Sequence, residues 1–310
     1  MKKIFIDGKA GTTGLRIYQR LSIYSDIELI TLSDSERKDT AARKRAVNQS
    51  DIVFLCLPDQ ASREAITLLD NPETIVLDTS TAHRTNPDWA YGFPELSNQH
   101  RDKIINSKRI SVPGCHASGF IALIYPLVES GILPQSAYLS FHSLTGYSGG
   151  GKAMISEYED SGRDNSLDSP RQYGLGQNHK HLIEVKTISK LDYLPHFSPI
   201  VSGFYSGMLV TVPLFKEQLI PGKTIEDVID ILKQKYQGPI VSYTDSLDVD
   251  GFIASNKLQG KDSMQITVAG NSDRILLLNV YDNLGKGASG AAIQCLNLIL
   301  GKEETYSLEL

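Results

Sequence analysis

The chain has 310 residues, of which 41% are hydrophobic and 22% are charged, a composition typical of a globular protein large enough for two domains. Its formal net charge of -5 argues against nucleic-acid binding, which needs clustered Lys and Arg. The longest apolar run, near residues 120–128, is too short to span a bilayer, and Asp7 interrupts the apolar start before a signal-peptide core could form. We therefore expect neither a nucleic-acid partner nor a membrane partner, and a cytoplasmic location.

The first third of the chain alternates strand and helix patterns, which predicts a parallel sheet with crossover helices. The predicted strands are residues 3–7, 27–32, 51–57, 74–78 and 109–112, and the predicted helices are residues 14–24, 39–48 and 59–69. Turns at the carboxyl ends of these strands are expected to carry function.

The pattern changes at Cys115, where an apolar helix is followed by alternating segments that predict a mixed or antiparallel sheet. The predicted strands here are residues 138–144, 208–214, 264–269 and 275–281, and the predicted helices are residues 179–190, 224–235 and 286–300. The fold class is therefore α/β, a Rossmann-type parallel sheet with a second α+β domain. Because the last apolar helix can pack back on the first domain, we predict domains at residues 1–114 with 285–310 and at residues 115–284.

A glycine-rich turn lies between the first strand and the first helix. Its G-x-x-G-x-x-G spacing is a variant of the dinucleotide fingerprint, in which glycines admit the pyrophosphate to the backbone and the following helix N-terminus binds its charge. The predicted cofactor-binding residues of this turn are Gly8, Gly11, Thr12, Thr13 and Gly14.

The end of the second strand bears on the choice of cofactor. Ser33 with Arg37 and Lys38 fits a 2'-phosphate and so favours NADP(H), although Asp34 leaves NAD possible. The nearby basic run of residues 43–45 is interpreted as a solvated helix face without a partner.

The three cysteines differ in their surroundings. An odd number without close pairing predicts reduced thiols rather than a disulfide framework. Cys56 and Cys295 lie in apolar segments, where a free cysteine is usually a small buried hydrophobe. Cys115 follows Pro113 and Gly114 at the start of a helix, where backbone amides stabilise a thiolate and an oxyanion, so it is the candidate nucleophile.

A base for this nucleophile is offered by a short segment with two histidines and a carboxylate. His181 and Glu184 are three residues apart, so on a helix they can meet, while His179 faces the thiol. A zinc site is the competing interpretation, but the H-E-x-x-H spacing is absent, so we expect no metal.

Several motifs together resemble a known family, the N-acetyl-gamma-glutamyl-phosphate reductases in their shorter form, from one end of the chain to the other. Besides the glycine-rich turn and residues 113–115, they are residues 78–84 (DTSTAHR), 91–96 (YGFPEL), 146–152 (GYSGGGK), His179-x-His181-x-x-Glu184 and residues 282–290 (DNLGKGASG).

The resemblance implies an enzyme of arginine biosynthesis that reduces N-acetyl-L-glutamyl 5-phosphate to N-acetyl-L-glutamate 5-semialdehyde and inorganic phosphate, with NADPH and a cysteine thioester. It also implies a second domain of the semialdehyde dehydrogenase and glyceraldehyde-3-phosphate dehydrogenase-like kind, and a homodimer or homotetramer formed through that domain's sheet.

By the same resemblance, Cys115 is the nucleophile and His179 the acid/base, supported by His181 and Glu184. The substrate and its phosphate are expected to contact Arg84, Ser148, Gly149 and Lys152, with His142 a further candidate. Further cofactor contacts are expected at Ser80, Asn283 and Gly285.

The chain departs from the commoner family pattern after the nucleophile, where residues 116–118 read His-Ala-Ser instead of Tyr-Pro-Thr. His116 is then either a packing variant or a second base. Two alternatives for function remain: a related semialdehyde dehydrogenase acting on aspartyl or aminoadipyl phosphate, and a non-enzymatic NADP-binding sensor.

Overall fold

A computed structural model describes residues 1–310. The chain forms two compact units, one of residues 1–114 with 288–308 and the other of residues 115–287 with 309–310. No helix is long and apolar enough to cross a membrane.

The first unit contains a six-stranded sheet in which every pairing is parallel, with the order β2-β1-β3-β4-β6-β5. Its strands are β1 (Lys2–Asp7), β2 (Ile27–Ile30), β3 (Ile52–Leu55), β4 (Ile75–Asp78), β5 (Ala90–Tyr91) and β6 (Arg109–Ser111). Its first four helices are α1 (Thr12–Leu21), α2 (Thr40–Gln49), α3 (Asp59–Thr67) and α4 (Asn98–Asn106). The predicted α/β class is confirmed.

The strands with the clearest sequence patterns are the central strands of this sheet. All four residues of β3 are buried, as expected of a parallel strand covered on both faces. We did not predict β5 and α4. β5 has only two residues, and α4 has a single buried residue, Ile104, so neither leaves a clear periodic pattern.

The second unit is built on a seven-stranded mixed sheet with the order β11-β12-β13-β10-β7-β9-β8. Its strands are β7 (Ser140–Gly146), β8 (Arg171–Gln172), β9 (His196–Ser202), β10 (Met208–Phe215), β11 (Val241–Tyr243), β12 (Met264–Gly270) and β13 (Arg274–Tyr281). Its helices are α5 (Cys115–Glu129), α6 (Gly151–Glu159), α7 (His181–Ile188) and α8 (Ile225–Lys235).

One face of this sheet is buried and the other is more exposed. Along β10 the residues Met208, Val210, Val212 and Leu214 are buried, while those between them are half-buried or exposed. Since side chains alternate along a strand, the buried set lies on one face, and α5 packs against β10 and β13.

We did not predict β9, which pairs in parallel with β7. Pro199 interrupts its apolar pattern, and a proline normally argues against a central strand. The strand tolerates this residue because its other neighbour, β8, contains only two residues, so β9 lies close to the edge of the sheet.

The last helix was predicted as one element but begins differently. A π-helical turn spans Gly285–Ser289, and α9 (Gly290–Ile299) follows it. In the first unit, α9 side chains such as Ile293 share a core cluster with Ile4 and Leu77, and Cys295 is fully buried there.

Candidate active site

The glycine-rich turn after β1 owes its composition to close packing. Gly8 has φ +90, and a Cβ atom there would lie 2.2 Å from the carbonyl oxygen of Cys56. A Cβ atom at Gly14 would lie 2.5 Å from the carbonyl oxygen of Gly8. Because α1 begins at Thr12, its free backbone amides lie directly after this turn, as anion binding requires.

A cavity of about 650 Å³ adjoins the turn. Its polar lining includes the cations of Lys9, Arg37, Lys38 and Arg43 together with Asp34. A glycine turn, a helix N-terminus and several cations around one cavity form a set of residues that fits a dinucleotide with an additional phosphate.

The predicted 2'-phosphate residues differ in their availability. Arg37 and Lys38 line the cavity, and Arg37 pairs loosely with Asp34 at 3.5 Å. Ser33 is not part of the lining, and its hydroxyl donates to the Glu36 carboxylate at 2.6 Å. An incoming phosphate would therefore have to compete with Glu36 for the Ser33 hydroxyl.

The interpretation of residues 43–45 as a solvated face was wrong for Arg43. Its guanidinium donates two hydrogen bonds to the Asp7 carboxylate, at 2.8 Å and 3.1 Å, and lines the cavity. Helical spacing contained the signal, because Arg43 lies beside the buried Ala42 and one turn before the buried Val47. Lys44 does remain at the surface, paired with Asp70.

The predicted cofactor residue Ser80 belongs to a buried network at the end of β4. Its backbone N–H and its hydroxyl both donate to the Asp78 carboxylate, which also accepts from Ser62 at 2.7 Å. His83 contacts the same carboxylate at 2.6 Å and stacks on Trp89. These contacts explain the DTSTAHR motif as local architecture, and the cofactor role of Ser80 stays a prediction.

The predicted phosphate ligand Arg84 is similarly occupied. It is only 7% exposed, and its guanidinium donates to the carbonyl oxygens of Val112 and Thr79, both at 2.8 Å. These bonds brace the segment that leads to the nucleophile, so they favour a structural role over phosphate binding, which stays a prediction.

Cys115 is the first residue of α5, so it lies at the helix N-terminus, where the first-turn amides have no partner within the helix itself. The Tyr281 hydroxyl donates to the Cys115 carbonyl oxygen at 2.6 Å. A Cβ atom at Gly287 would lie 3.1 Å from the Cys115 Cβ atom. Neither neighbour could be found from the sequence, because Tyr281 and Gly287 are remote in the chain from the Cys115 that they contact.

Gly285, a predicted cofactor residue, has a different reason for being glycine. A Cβ atom there would lie 1.9 Å from the carbonyl oxygen of Lys261. The neighbouring loop therefore leaves no room for a side chain at this position. The cofactor role of Gly285 stays a prediction.

The orientation of His179 comes from the backbone. This residue precedes α7, which begins at His181 rather than at the predicted residue 179, and its Nδ1 atom accepts the His181 backbone N–H at 3.2 Å. The proton of the neutral ring therefore lies on Nε2. Burial, with a smaller effect of the Lys180 charge, lowers the pKa of His179 to about 4, so at neutral pH the ring is a neutral N–H donor.

The two supporting residues lie in the same region. The His181 ring is 4.7 Å from the His179 ring, centre to centre, and in an edge-on arrangement. Glu184 is buried in the first turn of α7. The structure thus brings His181 to His179, while the predicted role of Glu184 stays a prediction.

His116 lies at the centre of this histidine cluster and is buried. Its Nδ1 and Nε2 atoms lie 2.7 Å from the Ser143 and Tyr173 hydroxyl oxygens respectively. Its ring is 5.8 Å from the His179 ring. Burial, followed by the His179 charge, lowers the pKa of His116 to about 3, which favours the packing interpretation of this residue over the second-base interpretation.

We expect the stability of the protein to depend on these neutral rings. Since the pKa values of His116 and His179 lie below the unfolded value near 6.5, the unfolded chain binds more protons than the folded chain in this range. Their contribution to the free energy of unfolding is complete above about pH 6.5 and is lost as the pH falls towards about 4 and then 3. Denaturant titrations at about pH 7.5 and about pH 5 measure this loss. Between these two pH values, the free energy of unfolding should decrease less for His116→Gln than for the unmodified protein. Equal decreases would contradict this assignment.

The predicted substrate loop is tied to the end of the second sheet. The buried Ser148 hydroxyl accepts a hydrogen bond from the side-chain N–H of Asn283 at 3.0 Å. The side-chain oxygen of Asn283 accepts one from the Gly207 backbone N–H at 2.9 Å. Gly149 and Lys152 are exposed, Lys152 in the first turn of α6. Ser148 and Asn283 therefore have structural contacts, while Gly149 and Lys152 remain open to a ligand.

The neighbouring Asp282 carboxylate connects two further segments and caps its own turn. It accepts from the Ser206 hydroxyl and the Gly260 backbone N–H, both at 2.6 Å, and from the Leu284 backbone N–H at 2.7 Å. Residues 281–283 consequently fix the nucleophile, two loops and the substrate loop from one short stretch.

The position of His142, the further pocket candidate, does not support its predicted role, which stays a prediction. It is exposed on β7 between the buried residues Phe141 and Ser143. Consecutive side chains of a strand point to opposite faces, so His142 lies on the face opposite Ser143 and its partner His116.

Comparison with known proteins agrees with this geometry. Residues 3–104 match the family model described as semialdehyde dehydrogenase, NAD binding domain, and residues 115–283 match the one described as semialdehyde dehydrogenase, dimerisation domain. An N-acetyl-gamma-glutamyl-phosphate reductase from Sinorhizobium fredii is 43% identical over 96% of this chain and 98% of its own length. One from Brucella ovis is 42% identical over 97% of this chain and 99% of its own length.

The chain belongs to the N-acetyl-gamma-glutamyl-phosphate reductase family. The resemblance inferred from the motifs is thereby confirmed.

Solved structures extend the likeness of this reductase family member to the fold. Aspartate semialdehyde dehydrogenase from Francisella tularensis superposes with a TM-score of 0.73 at 15% identity, covering 97% of this chain and all of that one. The Vibrio cholerae enzyme aspartate semialdehyde dehydrogenase II gives 0.72 at 16% identity, covering 97% and 98%. These neighbours confirm the predicted semialdehyde dehydrogenase-like architecture.

Proposed function

We propose that the chain reduces N-acetyl-L-glutamyl 5-phosphate to N-acetyl-L-glutamate 5-semialdehyde and inorganic phosphate, using NADPH, as a step of arginine biosynthesis. The observation that carries this proposal is a cysteine at a helix N-terminus with its carbonyl anchored by Tyr281, in a chain more than 40% identical along its length to reductases of that name.

Cys115 acts first in the proposed mechanism. Its thiolate attacks the acyl carbon, and the amides of the α5 N-terminus hold the oxyanion that forms. Collapse of this intermediate breaks the bond to the phosphate oxygen, so phosphate leaves and a thioester remains on sulfur. The thioester accepts hydride far more readily than a carboxylate, which is the benefit of the covalent step.

When bound, NADPH supplies hydride to the thioester carbon. His179, as the general acid, shares its Nε2 proton with the resulting oxyanion through a hydrogen bond and retains this proton as the C–S bond breaks. The electron pair of that bond returns to the Cys115 sulfur, and the aldehyde is released. Because burial keeps His179 neutral, its proton is present for this step throughout the neutral pH range.

Cofactor binding is assigned to residues 1–114 and 285–310, and catalysis to residues 115–284. In the cofactor-binding part, the residues proposed to bind the pyrophosphate are Gly8, Gly11, Thr12, Thr13 and Gly14. Arg37 and Lys38, which both line the cavity, are the residues proposed to bind the 2'-phosphate. A cytoplasmic location suits an enzyme whose Cys115 must stay reduced.

The assembly proposed is a homodimer or homotetramer formed through the more exposed face of the second sheet. Support comes from the exposed apolar residues Phe215 on β10 and Leu276 on β13. Leu276 pairs with Pro213, two residues from Phe215, so the two side chains lie on the same face of the sheet. Apolar area of this kind is what a second copy of the chain would cover. Sedimentation equilibrium measures the stoichiometry.

The assay that tests the function runs the reaction backwards. N-acetyl-glutamate semialdehyde, phosphate and NADP+ should give phosphate-dependent absorbance of the reduced cofactor, and NAD+ should give a lower initial rate. Aspartate semialdehyde and aminoadipate semialdehyde in the same assay test the alternative substrates. A higher rate with either of them, or with NAD+, would contradict the corresponding assignment, and nucleotide binding without any turnover would favour the sensor.

A further inference from the structure

Three polar side chains, those of Ser143, His116 and Tyr173, form a hydrogen-bonded chain that begins on the second sheet. Ser143 is completely buried on β7, and its hydroxyl oxygen lies 2.7 Å from Nδ1 of His116. The His116 Nε2 atom lies 2.7 Å from the Tyr173 hydroxyl oxygen. His116 directly follows the nucleophile Cys115 on α5.

The burial of Ser143 fixes the direction of these hydrogen bonds. Its hydroxyl contacts no polar partner besides the His116 ring. If Nδ1 were the donor, the Ser143 proton would be buried without an acceptor, which costs the full desolvation of that group. Ser143 therefore donates to Nδ1, and in the neutral ring the proton lies on Nε2.

This direction determines what the Tyr173 hydroxyl can do. Since Nε2 of His116 donates to the Tyr173 oxygen, the Tyr173 proton is directed away from His116 and remains available to another acceptor. The Tyr173 ring also lies 6.2 Å from the ring of His179, centre to centre, which places its hydroxyl in the region of the proposed acid/base. Burial, and after it the negative charge of the Cys115 thiolate, raises the pKa of Tyr173, so the hydroxyl stays protonated.

We propose that Tyr173 is a catalytic residue, which donates a hydrogen bond to the oxyanion formed on the acyl carbon attached to Cys115, and that His116 is the positioning residue that directs this proton. The proposal rests on the proposed function. When hydride adds to the thioester carbon, the carbonyl oxygen gains the electron pair, and Tyr173 stabilises that charge without transferring its proton. The C–S bond then breaks, the sulfur takes its electron pair, and the C=O bond re-forms.

The first test is Tyr173→Phe, which keeps the aromatic ring and removes the donor. We expect kcat to fall on the order of 100-fold, the usual effect of losing one oxyanion donor, with KM for the semialdehyde and the Kd of NADP+ within about twofold of the unmodified values. Tyr236→Phe is the matched control, because Tyr236 is a buried tyrosine whose hydroxyl donates to the backbone of α5, at Ala122, and has no place in the proposed mechanism. It should lower stability but leave kcat unchanged.

The unmodified protein, assayed in the same experiment, separates a failure of the proposed function from a failure of the proposed role of Tyr173. If it shows no turnover, the proposed function fails; if it turns over and Tyr173→Phe retains kcat within about threefold, the catalytic role of Tyr173 is overturned.

The second test concerns His116. His116→Leu removes the donor to Tyr173 and should lower kcat, but in the Tyr173→Phe background it should cost little more, because both changes remove one interaction. His116→Gln offers an amide donor and should retain more activity than His116→Leu. Nitrogen NMR of histidine-labelled protein should report the Nε2–H tautomer for His116. Additive losses, or the Nδ1–H tautomer, would overturn the positioning role.

Discussion

Cys115→Ser is expected to abolish phosphate-dependent oxidation of the semialdehyde while NADP+ still binds. A serine hydroxyl at the same helix N-terminus is a far weaker nucleophile than a thiolate at neutral pH, and an ester accepts hydride less readily than a thioester. Loss of the whole catalytic cycle is therefore expected, rather than a change in KM. Turnover by the variant equal to that of the unmodified protein would eliminate the thioester mechanism.

The other two cysteines allow this result to be controlled. Cys295→Ser changes a buried thiol that contacts the Gly92 carbonyl oxygen at 3.5 Å and has no role in the proposed mechanism, so activity per folded molecule should persist. Burial raises the pKa of the Cys56 thiol to about 12, so Cys56 should resist alkylation at neutral pH. One equivalent of iodoacetamide should then inactivate the enzyme through Cys115, as peptide mapping would show.

His179→Asn is expected to lower kcat by roughly two to four orders of magnitude. The Asn side-chain oxygen can still accept the His181 backbone N–H that His179 Nδ1 accepts, so the change isolates the loss of the Nε2 proton. Initial rates at saturating substrate measure the effect.

The comparison variant is His181→Asn, which alters the neighbouring ring. It should cost much less than His179→Asn if His179 is the acid/base. A loss under about threefold in His179→Asn, together with a large loss in His181→Asn, would reassign the proton transfer to His181.

The sequence predicted features that reside in local patterns. The fully buried β3, the glycine turn and the cysteine at a helix start are all read from consecutive residues, and the structure contains each of them. The family resemblance used motifs of the same local kind. β9 was not predicted because it contains a proline, which normally argues against a strand. Near the edge of a sheet a proline is tolerated, and the sequence does not show that β9 lies there.

The partners of the site residues could not be predicted in the same way. The residues that contact Cys115 and His116 come from strands and loops remote in the chain, such as Tyr281 and Ser143, and only the fold brings them together. Arg43 was predicted to be solvated, but its charge is neutralised by Asp7 on another element. This ion pair lowers the free-energy cost of its partial burial. The tautomers of His116 and His179 depend on such partners and so follow from the structure alone.

The stretch of residues 281–283 sets a limit on redesign of this enzyme. Tyr281 anchors the nucleophile, Asp282 gathers two loops, and Asn283 holds Ser148. Attempts to broaden the range of acyl groups should therefore randomise the exposed Gly149 and Lys152 and leave Ser148 intact. A library built that way varies the predicted substrate loop, while the contacts that hold Cys115 are inherited unchanged.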